Sequence, residues 1–215
     1  MKRVLLFYFT FVIFSVSASS QDFPINFFAG VNIANMHESN KPAGAKYETR
    51  ALFTLGVTYE YELSRFWSLE TGLSYNGKGA TSIQSEKIQV GLDYASVPLT
   101  VKMKTKIGLD IDLGIKAGYL IRANGTYKDR KTQAVITDLF NPWDLGPMVG
   151  LSYNIPKTYF SVFGTYEQGL LNINKDFWEG SDRKIKNSTI TFGLKVNFGI
   201  FPPFGDDTND NIIKP

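Results

Sequence analysis

The chain has 215 residues, of which 14% are aromatic, with no cysteine and a formal net charge of +3. Removal of Lys2 and Arg3 with a leader leaves 21 basic and 20 acidic residues, a net charge of +1, which gives no electrostatic argument for a nucleic-acid partner. The lack of cysteine excludes disulfides, thiolate metal sites, a cysteine nucleophile and a lipoprotein anchor.

The first twenty residues have the order of a secretory signal peptide. Lys2 and Arg3 precede the apolar run Val4 to Phe14, and small residues follow as far as Ser20. This run is shorter than the roughly 20 apolar residues of a membrane helix, although a retained N-terminal anchor is the alternative. Small residues permit cleavage after Ala18 or after Ser20, and we favour Ser20. The predicted divisions are a signal peptide at 1–20, a β-barrel at 21–201 and a flexible periplasmic tail at 202–215.

Eight later segments alternate apolar and polar residues with a period of two, which predicts β-strands with one apolar face. In strand four the apolar positions change from even to odd numbers, and we predict a β-bulge near Ala95 and Ser96. The predicted strands, in chain order, are Pro24–Ala34, Ala51–Leu63, Trp67–Asn76, Gln89–Lys104, Leu109–Arg122, Leu145–Tyr153, Thr158–Leu171 and Thr189–Ile200.

The connections between these strands alternate between long and short. Outer-membrane barrels have an even number of strands, short periplasmic turns and longer extracellular loops. The sequence therefore predicts an all-β fold, an eight-stranded antiparallel up-and-down transmembrane β-barrel in the cell outer membrane. The predicted long loops are His37–Thr49, Gly77–Lys87, Ala123–Trp143 and Asn172–Lys186, and the short turns follow Leu63, Lys104 and Tyr153.

Alternation alone does not decide which face lies inside, because a secreted soluble barrel that binds a hydrophobic ligand would turn its apolar face inward. Long strands and aromatic residues near strand ends favour the membrane arrangement. The predicted interfacial aromatics are Tyr61, Trp67, Tyr75, Tyr94, Trp143, Tyr153, Tyr159 and Trp178. An eight-stranded barrel is just wide enough for side chains to fill it, so we predict a packed, ion-paired interior. The predicted interior charges are Glu60, Glu62, Glu70, Lys102, Lys104, Asp110, Asp112, Lys116, Arg122 and Lys195.

The sequence motifs that could indicate phosphate binding or calcium binding are incomplete. Gly72 to Gly79 comes within one residue of a phosphate-binding loop, but Gly79 replaces the required Ser or Thr and no helix pattern follows. The segment from Asp207 to Asn211 begins like a calcium loop and lacks the central glycine and the final glutamate. We therefore expect no cofactor, no metal and no catalytic residues. The alternative is an outer-membrane hydrolase that uses His37, the single histidine.

Four segments resemble, in order and spacing, the PorT-like outer-membrane β-barrel proteins. They are SLETGLSYNGKGA (Ser68–Ala80), LDYASVPLTVKMK (Leu92–Lys104), IKAGYLIRAN (Ile115–Asn124) and YEQGLLNI (Tyr166–Ile173). The resemblance implies an outer-membrane location and an eight-stranded barrel without established catalytic residues. Some proteins similar to this one are tied to type IX secretion and gliding. Such barrels often end on an aromatic residue of the last strand, whereas here Pro202 to Pro215 follow Phe201.

Together these patterns predict a non-enzymatic outer-membrane barrel with a structural or protein-interaction role. The expected partners are outer-membrane lipid and other envelope or secretion proteins, contacted through the extracellular loops or the tail.

Overall fold

A computed structural model of the chain describes residues 24–39, 46–83, 87–127, 132–175 and 183–198. The predicted signal peptide, the tail at 202–215 and Trp178 lie outside these residues. The strands are β1 (Ile25–Ser39), β2 (Lys46–Ser64), β3 (Trp67–Ile83), β4 (Lys87–Met103), β5 (Leu109–Tyr127), β6 (Thr132–Val135), β7 (Trp143–Asn154), β8 (Phe160–Gln168) and β9 (Lys184–Phe198).

Eight of these strands close into an antiparallel ring. Each strand pairs with its neighbour in the order β1-β2-β3-β4-β5-β7-β8-β9, and β9 returns to pair with β1 from Phe198 opposite Ile25 to Lys184 opposite Ser39. The four-residue β6 pairs only with the end of β5 that lies farthest from the short turns. Closure leaves no edge strand in the ring, and the predicted eight-stranded barrel is confirmed.

The apolar face of each strand points outward. On β9, Phe192 and Leu194 are 56% and 55% exposed, whereas their neighbours Thr191 and Lys195 are 5% and 7% exposed. The alternative of a soluble barrel with an apolar core around a ligand is therefore wrong, since it requires the opposite orientation. In the segments that the structure describes, no helix is long and apolar enough to cross a membrane.

Several strands are longer than predicted, at the end opposite the short turns. The predicted loop from Gly77 to Lys87 is wrong, because β3 continues to Ile83 and β4 begins at Lys87. The polar and glycine-rich composition of this segment indicated a loop. In the structure Gly77 pairs with Asp93 and Lys78 pairs with Leu92, as part of the antiparallel pairing of β3 with β4. By the rule that short turns are periplasmic, these extensions carry the barrel beyond the membrane on the extracellular side.

The predicted bulge in β4 is also wrong. Even-numbered residues of β4 point inward along the whole strand, from Val90 to Lys102. The register shift lies instead in β5, where Ile121 has no partner between Leu120 and Arg122. The apparent change of parity in β4 has another cause. At the extracellular end the interior of the barrel is apolar, so the apolar side chains of β4 point inward there. Toward the periplasmic end the interior is polar, and the apolar side chains of β4 point outward.

A substitution at Gly79 tests whether β3 extends past Asn76 and pairs with β4 there. Its φ is +136°, and a Cβ built there would lie 2.1 Å from the carbonyl oxygen of Val90. Its register partner is Gly91, where a Cβ would meet only the Arg50 Nη1 atom at 3.3 Å. We expect Gly79→Ala to lower the free energy of unfolding by about 1–3 kcal/mol or more, because backbone strain and a backbone clash add together. Denaturant unfolding in vesicles measures this loss. Gly91→Ala is the matched control, and an equal loss in both variants would contradict the geometry.

Candidate functional site

The lower interior holds a chain of buried ion pairs, which we call the periplasmic ladder. Strand alternation turns Glu60, Glu70, Lys102 and Lys195 inward from four different strands. Lys195 Nζ lies 2.7 Å from Glu70, and Lys102 Nζ lies 3.0 Å from both Glu70 and Glu60. At the periplasmic mouth Lys104 continues the ladder to Glu60 at 2.7 Å and to Glu62 at 2.6 Å. Each charge is thereby matched inside a space with little water.

A second group of ion pairs lies nearer the extracellular side, and we call it the outer charge cluster. Lys78 Nζ is paired with Glu167 and lies 3.0 Å from Asp144, while Lys116 Nζ lies 3.1 Å from the other Glu167 oxygen. Asn187 Nδ2 donates a hydrogen bond of 2.8 Å to Asp144. Lys78 is 1% exposed, so its charge is held entirely by these protein groups. The cluster joins β3, β5, β7, β8 and β9 across the lumen.

Above the outer charge cluster the interior becomes apolar. Tyr94 connects the two layers, because Lys78 Nζ lies 5.4 Å from the centre of its ring. The apolar group, which we call the apolar plug, consists of Met36, Ala80, Val90, Leu92, Tyr94, Leu120, Ala123, Phe140, Ile173 and Ile185. All are less than 5% exposed. The plug therefore closes the extracellular end of the lumen to water.

The two long extracellular connections supply the top of the plug and are tied to each other. Phe140 and Asn174 form an isolated β-bridge. Asn141 N donates to the Ile173 carbonyl at 2.9 Å, and Ile173 N donates to the Ile185 carbonyl at 2.9 Å. The loops are thus a hydrogen-bonded lid whose apolar side chains face the lumen.

The spaces left in the polar interior are small. One cavity of about 50 Å³ lies near the periplasmic mouth and another of about 50 Å³ lies at mid-barrel. Thr58 Oγ1, Thr100 Oγ1 and Asp112 Oδ1 are buried beside the second cavity and have no hydrogen-bond partner among the described residues. Such a space suits a few water molecules that satisfy these atoms, and it is too small for an open channel.

Most charges predicted to lie inside do so. Glu60, Glu70, Lys102, Asp110, Asp112, Lys116 and Lys195 are at most 9% exposed. Lys104 and Glu62 lie at the periplasmic mouth instead, where Glu62 is exposed. Arg122 is a correction: it is exposed, because the extra residue Ile121 changes the parity of β5.

Among the residues that the structure describes, three interior charges were absent from the prediction. Lys78 was placed in a loop, Asp144 preceded the predicted strand, and Glu167 lay where alternation was unclear. Continuing the even parity of β3 past Asn76 would have identified Lys78 as inward-facing. The other two have no comparable signal.

The predicted aromatic girdle is placed mainly on the outside. Tyr61, Trp67, Trp143, Tyr153 and Tyr159 are between 39% and 59% exposed, and Tyr75 is half-buried against Phe53. Tyr94 is a correction, since it is fully buried in the apolar plug. It was assigned to the girdle because the apolar lining of the outer barrel could not be anticipated.

His37 lies at the extracellular end of β1. Its Nε2 atom is 3.0 Å from Ser188 Oγ on β9, so a serine and the single histidine are in contact. The adjacent carboxylate of Glu38 is turned toward other groups, accepting a hydrogen bond from Tyr47 and pairing with Arg183. Among the described residues no group of three or more His, Asp or Glu side chains is arranged to hold a metal ion.

The outward-facing apolar side chains of the strands, which we call the apolar belt, can be tested for contact with lipid. We expect Leu194→Arg to make folding into a bilayer less favourable by about 2–4 kcal/mol, because a charge on the lipid face near mid-membrane must leave water. Ile107→Arg is the control, since Ile107 is 70% exposed but lies in a periplasmic turn. Folding into vesicles is followed by the heat-dependent change in gel mobility. Equal folding of both variants would contradict a lipid-facing Leu194.

A closed ring of eight antiparallel strands, apolar outside and polar inside, defines a small β-barrel of the outer-membrane class. The chain belongs to the family of the outer membrane protein beta-barrel domain, which matches residues 17–175. The protein is accordingly an outer-membrane protein, and that part of the prediction is confirmed.

Solved structures of outer-membrane proteins are similar to this chain. Neisserial surface protein A (NspA) is 15% identical with a TM-score of 0.53, over 81% of this chain and 97% of that one. Ail, the attachment invasion locus protein of Yersinia pestis, is 16% identical with a TM-score of 0.45, over 81% and 99% of the two chains. OprG from Pseudomonas aeruginosa is 14% identical with a TM-score of 0.41, over 84% and 98%. No curated protein matches the sequence. At these identities the likeness to NspA concerns the fold alone.

Proposed function

We propose that this protein is a closed, non-enzymatic outer-membrane barrel that acts as a structural or protein-interaction component of the envelope. The observation that carries the proposal is the sealed interior. The periplasmic ladder, the outer charge cluster and the apolar plug fill successive levels of the lumen. With the lumen filled, the surfaces that remain for function are the extracellular loops, the periplasmic end and the lipid-facing wall.

We propose further that the partners are other envelope or secretion proteins. The resemblance to PorT-like barrels, some of which are tied to type IX secretion, supports this assignment. Val135, in the connection between β5 and β7, is 69% exposed although it is apolar. This exposure suits a residue that contacts a protein partner. The next residue, Ile136, packs against the apolar plug and its N donates to the Ala123 carbonyl at 2.9 Å, which fixes the position of Val135 at the extracellular end.

Site-specific photo-crosslinking in cells tests the proposal. A photoreactive phenylalanine analogue at Val135 should give a discrete protein adduct, and the same residue at Leu113 on the lipid-facing wall is the control. With the probe kept at Val135, replacing residues 176–182 of the other long connection with a glycine-serine linker should weaken the adduct but keep the heat-dependent gel mobility, because Phe140 and Ile173 of the plug are retained. Loop replacement that leaves the adduct unchanged, or steady ion conductance in planar bilayers, would count against the proposal.

The contact between Ser188 and His37 favours a second candidate, a hydrolase that acts on lipid or peptide esters and amides. In that reaction Ser188 Oγ would attack the carbonyl while His37 Nε2 accepts its proton. Ser188→Ala and His37→Ala should each abolish any hydrolysis by the purified protein in detergent or vesicles. Hydrolysis that is absent from the wild type, or unchanged in both variants, removes this candidate.

A further inference from the structure

Three short turns form the periplasmic rim, and each carries an exposed base beside an exposed apolar side chain. Arg65 precedes Phe66, Lys106 precedes Ile107, and Lys157 lies two residues before Tyr159. The three apolar side chains are 46%, 70% and 59% exposed, in that order. The turns themselves, residues 64–66, 104–108 and 155–159, contain no acidic residue. We call the three bases the basic rim.

The backbone holds these turns at fixed positions. Lys104 N donates to the Phe66 carbonyl at 2.8 Å, which joins the first turn to the second. Asn154 N donates to the Gly108 carbonyl at 2.8 Å, and Asn197 N donates to the Tyr159 carbonyl at 2.8 Å. The turns follow β2, β4 and β7. They are therefore spaced around the periplasmic end of the ring, and the start of β1 and the end of β9 fill the remaining position.

Lys157 has a backbone conformation that lysine seldom adopts. Its φ is 61°, in the left-handed region that favours glycine or asparagine. Its side chain is exposed and makes no ion pair within the described residues, as is also true of Arg65 and Lys106. The turn itself imposes this φ, because Thr158 N donates to the Ile155 carbonyl at 3.2 Å with Pro156 and Lys157 at the two central positions. The exposed side chain of Lys157 is available to a group outside the barrel.

An anionic phospholipid has the chemistry that fits this rim. A base can pair with the lipid phosphate while the neighbouring Phe, Ile or Tyr enters the interface between headgroups and acyl chains. The rim also continues directly into the lipid-facing belt through Trp67, which is 46% exposed. We propose that the basic rim binds the headgroups of anionic phospholipids in the periplasmic leaflet of the outer membrane.

Lipid competition tests this proposal with the full-length protein. The purified protein is equilibrated with equal amounts of phosphatidylglycerol and phosphatidylcholine, and the lipids that remain bound are quantified by native mass spectrometry. We expect several-fold enrichment of phosphatidylglycerol, decreasing as salt rises from about 0.1 M to about 1 M. The triple variant Arg65→Gln/Lys106→Gln/Lys157→Gly should show no enrichment. Glycine is chosen at position 157 because it accepts a positive φ.

A matched triple variant at the opposite end of the barrel is the control. Lys46→Gln/Lys87→Gln/Lys184→Gln removes the same charge from the extracellular side and should keep the enrichment. Lys46 and Lys184 are exposed, and Lys87 is partly exposed and paired with Glu48. Heat-dependent gel mobility shows that both variants remain folded. Equal loss of enrichment in the two triple variants overturns the proposal, as does its absence from the wild type. Enrichment that appears only after removal of residues 202–215 would also overturn it, and would make the acidic tail the occupant of the rim.

Discussion

Lys78→Met should destabilise the barrel by about 3–5 kcal/mol, because it leaves a buried carboxylate without its cation. The side chain of Lys78 is paired with both Asp144 and Glu167, and all three are nearly inaccessible to water. Methionine keeps most of the volume and removes only the charge. Equilibrium unfolding in vesicles by denaturant should show the loss as a lower transition midpoint.

A second substitution restores the charge balance of the outer charge cluster. It shows whether the unpaired carboxylate causes the stability loss of Lys78→Met. In Lys78→Met/Asp144→Asn the cluster keeps Lys116 paired with Glu167, whose oxygen and nitrogen atoms are 3.1 Å apart. We expect this double variant to recover most of the lost stability. Lys87→Met is the surface control. Lys87 is paired with Glu48 at 2.7 Å, but the two side chains are 36% and 52% exposed, and such solvent-accessible pairs contribute at most about 1 kcal/mol. A loss in Lys87→Met equal to that in Lys78→Met would contradict the assignment.

Phe140→Ala should both destabilise the barrel and open its extracellular end. Phe140 is 3% exposed within the apolar plug, and truncation of a buried phenylalanine costs about 3–5 kcal/mol through lost burial and the cavity that remains. The stability loss is measured by unfolding in vesicles. Access to the plug is measured separately with Ala80→Cys, because the native chain has no cysteine and Ala80 is fully buried there.

In otherwise native protein on intact cells, a membrane-impermeant maleimide should not label Ala80→Cys. Labelling should appear when Phe140→Ala is added. Val135→Ala is the control in the same connection, because Val135 is 69% exposed and its truncation removes little buried surface. Rapid labelling in the absence of Phe140→Ala would show that the plug does not seal the lumen.

The two unanticipated layers of the interior have a common cause. Sequence periodicity identifies which residues share a face of a strand, but it does not show how that face changes along the barrel. In β4 the inward positions Val90, Leu92 and Tyr94 are apolar or aromatic, whereas Ser96, Thr100 and Lys102 are polar, with Pro98 between them. From the sequence this change resembled a bulge in β4, which led to the wrong position for Tyr94. Arg122 was misplaced for a different reason, because the extra residue Ile121 in β5 was not recognised. The membrane requires an apolar exterior only over its own thickness, so beyond it the interior is free to become apolar.

The sequence by itself determined that eight strands form the ring, that the turns after β2, β4 and β7 are short, that the apolar belt faces outward, and that seven of the ten predicted interior charges are buried. These features follow from local period-two patterns and from the cost of charge in lipid, which any single strand reveals. Only the tertiary structure decided that Lys78 meets Asp144 and Glu167, that Phe140 and Ile173 close the lumen, and that Ser188 contacts His37. These contacts join residues far apart in the chain, and they depend on the register of strands around a closed ring, which no local pattern encodes.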